Sequence, residues 1–189
     1  MFSRKALSAT AAMFITIGFL ASACAAQNTV GIAATYPEMA TAQILYAQAS
    51  TVIIGTVSQS KAQQIDIADH TPTDDPQLNP GGDSNPVYAP YTIHQVKITR
   101  VVKGNVKVGD TISVGELGGV IGNTNYKTDE GILMQDGKTY LLFLQNFANA
   151  PYGLLNPVES VYQVSGSRAL QKDARNHLNT SDVQQVTNM

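Results

Sequence analysis

Tyr91-Thr92-Ile93-His94-Gln95-Val96-Lys97-Ile98-Thr99-Arg100-Val101-Val102-Lys103 is the stretch on which the reading of this chain turns. It is rich in β-branched and aromatic residues, and apolar and polar residues alternate along it as in a half-buried strand. The phase of that alternation changes part-way. Tyr91 and Ile93 are apolar at odd positions, Val96 and Ile98 at even ones. The spacing predicts one extra residue near His94-Gln95, a β-bulge that bends a long strand so that it can serve two parts of a barrel. On this reading His94 is a half-exposed strand residue at the bulge.

Upstream, Thr51-Val52-Ile53-Ile54-Gly55-Thr56-Val57 is a compact β-branched run, read as a buried strand. Downstream, Gly109-Asp110 leads into a third strand, Thr111 to Leu117, and Asp136-Gly137 into Tyr140-Leu141-Leu142-Phe143-Leu144, the most hydrophobic stretch after the N-terminal run. Val161 to Gly166 reads as a fifth short strand. Met39, Ile44 and Leu45 among several alanines, with Pro37 near the first turn, predict one short helix ahead of the strands. Five strands and one helix predict a mainly β fold, a small five-stranded barrel, closed or partly open, because closure hides edges that would template aggregation. Ile53, Val57, Val96, Ile98, Ile112, Val114, Leu142 and Leu144 are the expected interior.

Between Asp66 and Pro90 lie five aspartates, five prolines and two glycines. So little apolar surface cannot repay ordering the backbone, so residues 66–90 are expected to form an exposed loop. Residues 167–189 read as a polar tail, with Ala169-Leu170 and Leu178 able to supply a helical turn or two against the barrel.

The N-terminus speaks to location. Arg4 and Lys5 precede an uncharged stretch from Ala6 to Leu20, and Leu20-Ala21-Ser22-Ala23-Cys24 places small residues before the chain's single cysteine. Basic start, apolar middle and small residues make a secretory signal over 1–23. The cysteine after them resembles a bacterial lipobox, although Ala21 stands where leucine is usual. This implies lipidation at Cys24, with 24–35 as a tether to a domain spanning 36–166. Residues 21–25 also satisfy ordinary cleavage, which would leave Cys24 incidental. An unpaired cysteine in an oxidising compartment is a liability, which favours lipidation. The expected location is extracytoplasmic: a bacterial cell-membrane lipoprotein, or a secreted or periplasmic protein if Cys24 carries no lipid. Removal of 1–23 leaves 10 basic against 14 acidic side chains, a net charge of about −4. No basic run offers an electrostatic footprint for nucleic acid.

Three pieces taken together carry a resemblance: Thr51 to Val57; Val96 through Val101-Val102-Lys103-Gly104 with Val108-Gly109-Asp110; and Gly137-Lys138-Thr139-Tyr140-Leu141-Leu142-Phe143-Leu144. They resemble an uncharacterised family of bacterial secreted and lipid-anchored proteins. More distantly they are similar to the netrin-like domain, the OB-type barrel of the tissue inhibitors of metalloproteinases. The resemblance covers roughly residues 45–166. It implies an OB-like barrel and says little of function, since these motifs build strands and turns. In those inhibitors an N-terminal cysteine chelates the protease zinc and disulfides pin it. Cys24 has no cysteine partner here, so that mechanism does not carry over.

No catalytic motif of the serine-hydrolase, zincin, phosphate-loop or Cys-x-x-Cys kind is present. Asp66, Asp69, His70, Asp74 and Asp75 are candidate Ca²⁺ or Zn²⁺ ligands, but Pro72 and Pro76 and the general polarity favour a solvated loop, and no cofactor is implied. Tyr88, Tyr91, Tyr126 and Tyr152 lie in or beside loops, where such residues can present a binding surface. Gly118, Gly119 and Gly122 are explained by turns. The sequence therefore reads as a binding or interaction protein without catalytic activity. It would be held at the membrane by lipid, with a protein or small ligand as partner and no nucleic acid, using the 66–90 and 118–136 loops. The alternatives are an inhibitor-like partner of an extracellular protease, or an enzyme of unrecognised type.

Overall fold

The computed structural model describes residues 27–68, 86–131, 134–166 and 169–189. Its elements are β1 (Asn28–Gly31), α1 (Ala42–Gln48), β2 (Thr51–Asp66), β3 (Tyr88–Lys103), β4 (Thr111–Leu117), β5 (Gly119–Ile121), β6 (Thr124–Lys127), β7 (Thr139–Gln145), β8 (Tyr152–Leu154), β9 (Val161–Ser165), β10 (Ala169–Lys172) and α2 (Thr180–Thr187). The fold is mainly β, as the sequence predicts. Among the described residues no helix is long and apolar enough to cross a membrane.

β2, β3 and β4 form an antiparallel meander. β7 pairs antiparallel with β2, and β8 pairs with both β4 and β7, closing a ring of five strands. The fifth member of that ring differs from the expected one. β9 does lie beside β7, but along Tyr140–Leu142, while β8 takes the remainder of the same edge at Leu144 and Gln145. β8 escaped the sequence reading because Tyr152-Gly153-Leu154 is too short to show a period and follows a proline.

The bulge is also placed differently. Val57 faces Val96 and Gln59 faces Gln95, so the extra residue near His94 is Ser58 on β2, and β3 runs in unbroken register with β4 from Tyr91 to Lys97. The two further register shifts, Val52/Ile53 and Ile54/Gly55, insert Val102 and Thr99 on β3. The long strand is bulged, but towards its end. Gly55 sits at one of these bends. A Cβ there would stand 2.5 Å from Val96 Cγ1 and 3.0 Å from the Lys97 carbonyl oxygen, so only glycine lets β3 come this close.

Two apolar layers result. Inside the ring, Ile53, Val57, Val96, Ile98, Val114, Leu142 and Leu144 pack together with Ile112 against them, the interior the alternation predicts. On the other face of β2 and β7, Val52, Ile54, Leu141 and Phe143 are covered by Leu45 of α1, Val183 of α2, Met39 and Leu178. α1 begins at Ala42, where the Thr41 hydroxyl accepts from the Ile44 N–H at 3.2 Å. The polar tail is thus partly structural. β10 adds to β9, and α2 buries Val183 and Thr187. The tether also differs from expectation, since Asn28–Gly31 pairs in parallel with β6 in a separate three-stranded sheet. Of the expected loop 66–90, residues at both ends belong to the β2–β3 hairpin, with Asp66 opposite Tyr88.

Candidate functional site

With β3 in continuous register with β4 from Tyr91 to Lys97, its odd residues over that stretch point away from the ring interior. Tyr91 and Ile93 therefore signal no shift of phase. They are apolar residues on the outer face, where they line an open cleft of about 300 Å³. Two of its lining residues are glycines. Gly115 of β4 and Gly153 of β8 are register partners. The Tyr91 ring lies over the first: a Cβ on Gly115 would stand 3.3 Å from Tyr91 Cδ1. Phe147 lies over the second, 2.8 Å from where a Gly153 Cβ would be. Tyr152 and Ile65 complete the apolar walls, and Phe147 is 52% exposed. Burial raises the Tyr91 phenol above its ordinary value of 10.0, so this wall stays neutral.

Asp66 stands at the cleft's edge, and its Oδ1 accepts from the Ala68 and Val87 N–H groups at 3.1 and 2.9 Å. It thereby closes the open end of the hairpin. Of the other sequence-level metal candidates, Asp69, His70, Asp74 and Asp75 lie outside the described residues, as does Cys24. Tyr88 is 64% exposed on the hairpin, and Tyr126 lies in β6. Gly119 has a packing reason: at φ +122° its Cβ would stand 2.9 Å from the Cβ of Ala62 and overlap the Thr92 hydroxyl. None of the described residues of the 118–136 loop, expected to bind, lines the cleft, which is instead bordered by the β7–β8 connection.

His94 corrects the sequence reading most sharply. It is fully buried, not half-exposed. Being even-numbered in β3, it points inward beside Val96. The Ser58 bulge brings Ser60 opposite it, with Ser60 Oγ 2.6 Å from His94 Nδ1. Ser60 Oγ also meets Asp136 Oδ1 at 2.5 Å. On the other side His94 Nε2 lies 2.8 Å from Glu116 Oε2. No hydrogen bond forms at Nε2 in this contact. Glu116 Oε2 also accepts from the Met134 N–H at 3.1 Å.

A serine, a histidine and a carboxylate in line invite comparison with hydrolase triads, and the proton count decides against it. A hydroxyl has one hydrogen and an ionised carboxylate has none to give. Ser60 therefore donates to Asp136 and accepts from His94 Nδ1–H. The imidazole then has no free lone pair at Nδ1 with which to deprotonate the serine, as general-base activation requires. The chain Asp136–Ser60–His94–Glu116 ties β2, β3, β4 and the segment before β7 together. His94 and Glu116 were legible only as polar residues standing in phase with an apolar alternation.

No protein-family model, curated protein or solved structure gives a significant match to the chain.

Proposed function

We propose that this chain is an OB-type binding protein of the extracytoplasmic space, anchored through lipid at Cys24, that takes a small, flat apolar ligand in the cleft walled by Tyr91 and Phe147. The order of strands around the ring supports the OB reading. β2, β3 and β4 follow one another, β8 enters between β4 and β7, and β7 returns to β2. We read this order as the Greek-key closure of an OB-type barrel. OB barrels bind across the face of their second and third strands and the loops after the first and fourth. Here those are β3 and β4, the β2–β3 hairpin and the β7–β8 connection, the same elements that line the cleft.

The observation that carries the proposal is the glycine pair. Two facing glycines on adjacent strands let the Tyr91 and Phe147 rings close down on the sheet as aromatic walls, and strands do not place glycine in their interiors without cause. A volume of about 300 Å³ suits a ligand of one or two rings. The acidic balance of the chain speaks against polyanions.

The test is a fragment titration followed by NMR on the Cys24→Ser protein, which should be released from membranes into the soluble fraction. Aromatic fragments are expected to shift the Gly115 and Gly153 amide resonances. Gly115→Val should displace the Tyr91 ring and abolish those shifts while circular dichroism still shows the strands. Fragments that shift only amides elsewhere would overturn the assignment of the cleft. A Cys24→Ser protein that stays with the membrane would overturn the anchor.

A further inference from the structure

Away from that cleft, three side chains from distant parts of the sequence converge on one point. Glu38 precedes α1, Glu159 precedes β9 and His177 follows β10. Their donor atoms all lie within 4.8 Å of one another. His177 Nδ1 is 2.9 Å from Glu159 Oε1 and 3.4 Å from Glu38 Oε1. We propose that Glu38, Glu159 and His177 form a binding site for one divalent transition-metal ion of the zinc class. The inference does not depend on the ligand proposed for the apolar cleft.

The donor arrangement is prepared for an ion. Glu159 is only 4% exposed, and its second oxygen, Oε2, is held by the Met39 N–H at 2.7 Å, so Oε1 is the oxygen turned to His177. The loop that carries it is itself pinned, because Asn156 Oδ1 accepts from the N–H groups of Val158 and Glu159. Around a tetrahedral ion with bonds of about 2.0–2.2 Å, neighbouring donors sit roughly 3.3–3.5 Å apart. The two distances at His177 bracket the lower end of that range, so small side-chain rotations complete the site.

The electrostatics ask for a cation. The three donors border a cleft of about 330 Å³ that Asp129, Glu130 and Arg175 also line. Four carboxylates thus face a single guanidinium, and that guanidinium is already committed. Arg175 holds Asp173 through Nε and Nη2 at 2.7 and 3.1 Å and donates to the carbonyls of Asp129 and Glu130. Two carboxylates and one imidazole are a borderline donor set that suits zinc and its neighbours, whereas calcium takes oxygen ligands alone. The open side of the cleft leaves a fourth position for water. An ion held here would clasp the segment before α1 to the β9–β10 unit and fasten the outer helical layer.

The test uses the Cys24→Ser chain, so that the thiol offers no competing ligand. After treatment with a chelator, Zn²⁺ is titrated by calorimetry and Co²⁺ by visible absorption. One ion per chain, a higher Tm with Zn²⁺ and a four-coordinate cobalt spectrum are expected, with no competition from equal Ca²⁺. Glu38→Gln and His177→Ala alter exposed side chains, and each should weaken binding by about tenfold or more while circular dichroism stays the same. No uptake by the wild-type chain would overturn the proposal and leave the group as a histidine shared by two carboxylates. Uptake undiminished in either variant would also overturn it, since the ion would then sit elsewhere.

Discussion

The two ends of the five-stranded ring are built from the same strands and stabilised in opposite ways. At one end Ile53, Val57, Val96, Ile98, Leu142 and Leu144 fill the interior with apolar side chains. At the other, Thr92, His94 and Glu116 are buried with Ser60 beside them. The change occurs within β2 over one residue, because the Ser58 bulge exchanges the face its side chains present. An apolar interior tolerates the loss of one member by leaving a cavity. A buried polar chain tolerates the loss of one member badly, because the partner left behind stays desolvated and unpaired.

The largest expected effect therefore lies at the polar end. Glu116→Leu strands His94 without its carboxylate and should cost about 3–5 kcal/mol of stability by urea unfolding, whereas His94→Leu combined with Glu116→Leu should recover most of that loss. If the double variant were as unstable as the single one, the pair would not be the unit that matters. At the apolar end Leu142→Ala should cost about 2–5 kcal/mol through the cavity it leaves. An unchanged Tm would mean that Leu142 does not face the interior.

A smaller effect sharpens the contrast with the outer layer. Tyr162 is fully buried against Phe143, ring centroids 6.1 Å apart. Its hydroxyl faces Asn176 without a well-directed hydrogen bond, so burial dominates and pushes its pKa up to about 12 from 10.0. Below about pH 10 both folded and unfolded states keep the proton and the contribution is whole. Between about pH 10 and 12 the unfolded chain ionises first, so stability falls as pH rises, by about 2–3 kcal/mol at the top of the window. Tyr36, Tyr91 and Tyr140 are raised too and steepen the decline. Tyr162→Phe should remove its own share, so the difference in unfolding free energy between wild type and variant should change across that window. A constant difference from pH 9 to 12 would contradict the burial of that hydroxyl.

The same contrast explains what could be read in advance. The apolar end was legible because Val96 and Ile98, or Leu142 and Leu144, carry the period of a strand in their own chemistry. The polar end was not. His94 and Glu116 sit in interior register, but a histidine and a glutamate at those positions look like solvent-facing residues until Ser60 and the Met134 N–H are seen to satisfy them. The proposed cleft was hidden for the complementary reason. Tyr91 and Ile93 are apolar on the outer face, so the alternation looks like a phase shift although it reflects a strand with two apolar faces.

Local chemistry by itself determined the β-rich class, five of the ten described strands and the apolar interior, since each rests on neighbouring residues that interact along the chain. Only the tertiary structure decided which three-residue strand closes the ring, that Gly115 meets Gly153, and that Glu38, Glu159 and His177 share one point. Those contacts join residues from different elements, up to 139 positions apart. The sequence pattern has a period of two residues and cannot register across such separations. The fold alone brings them into reach.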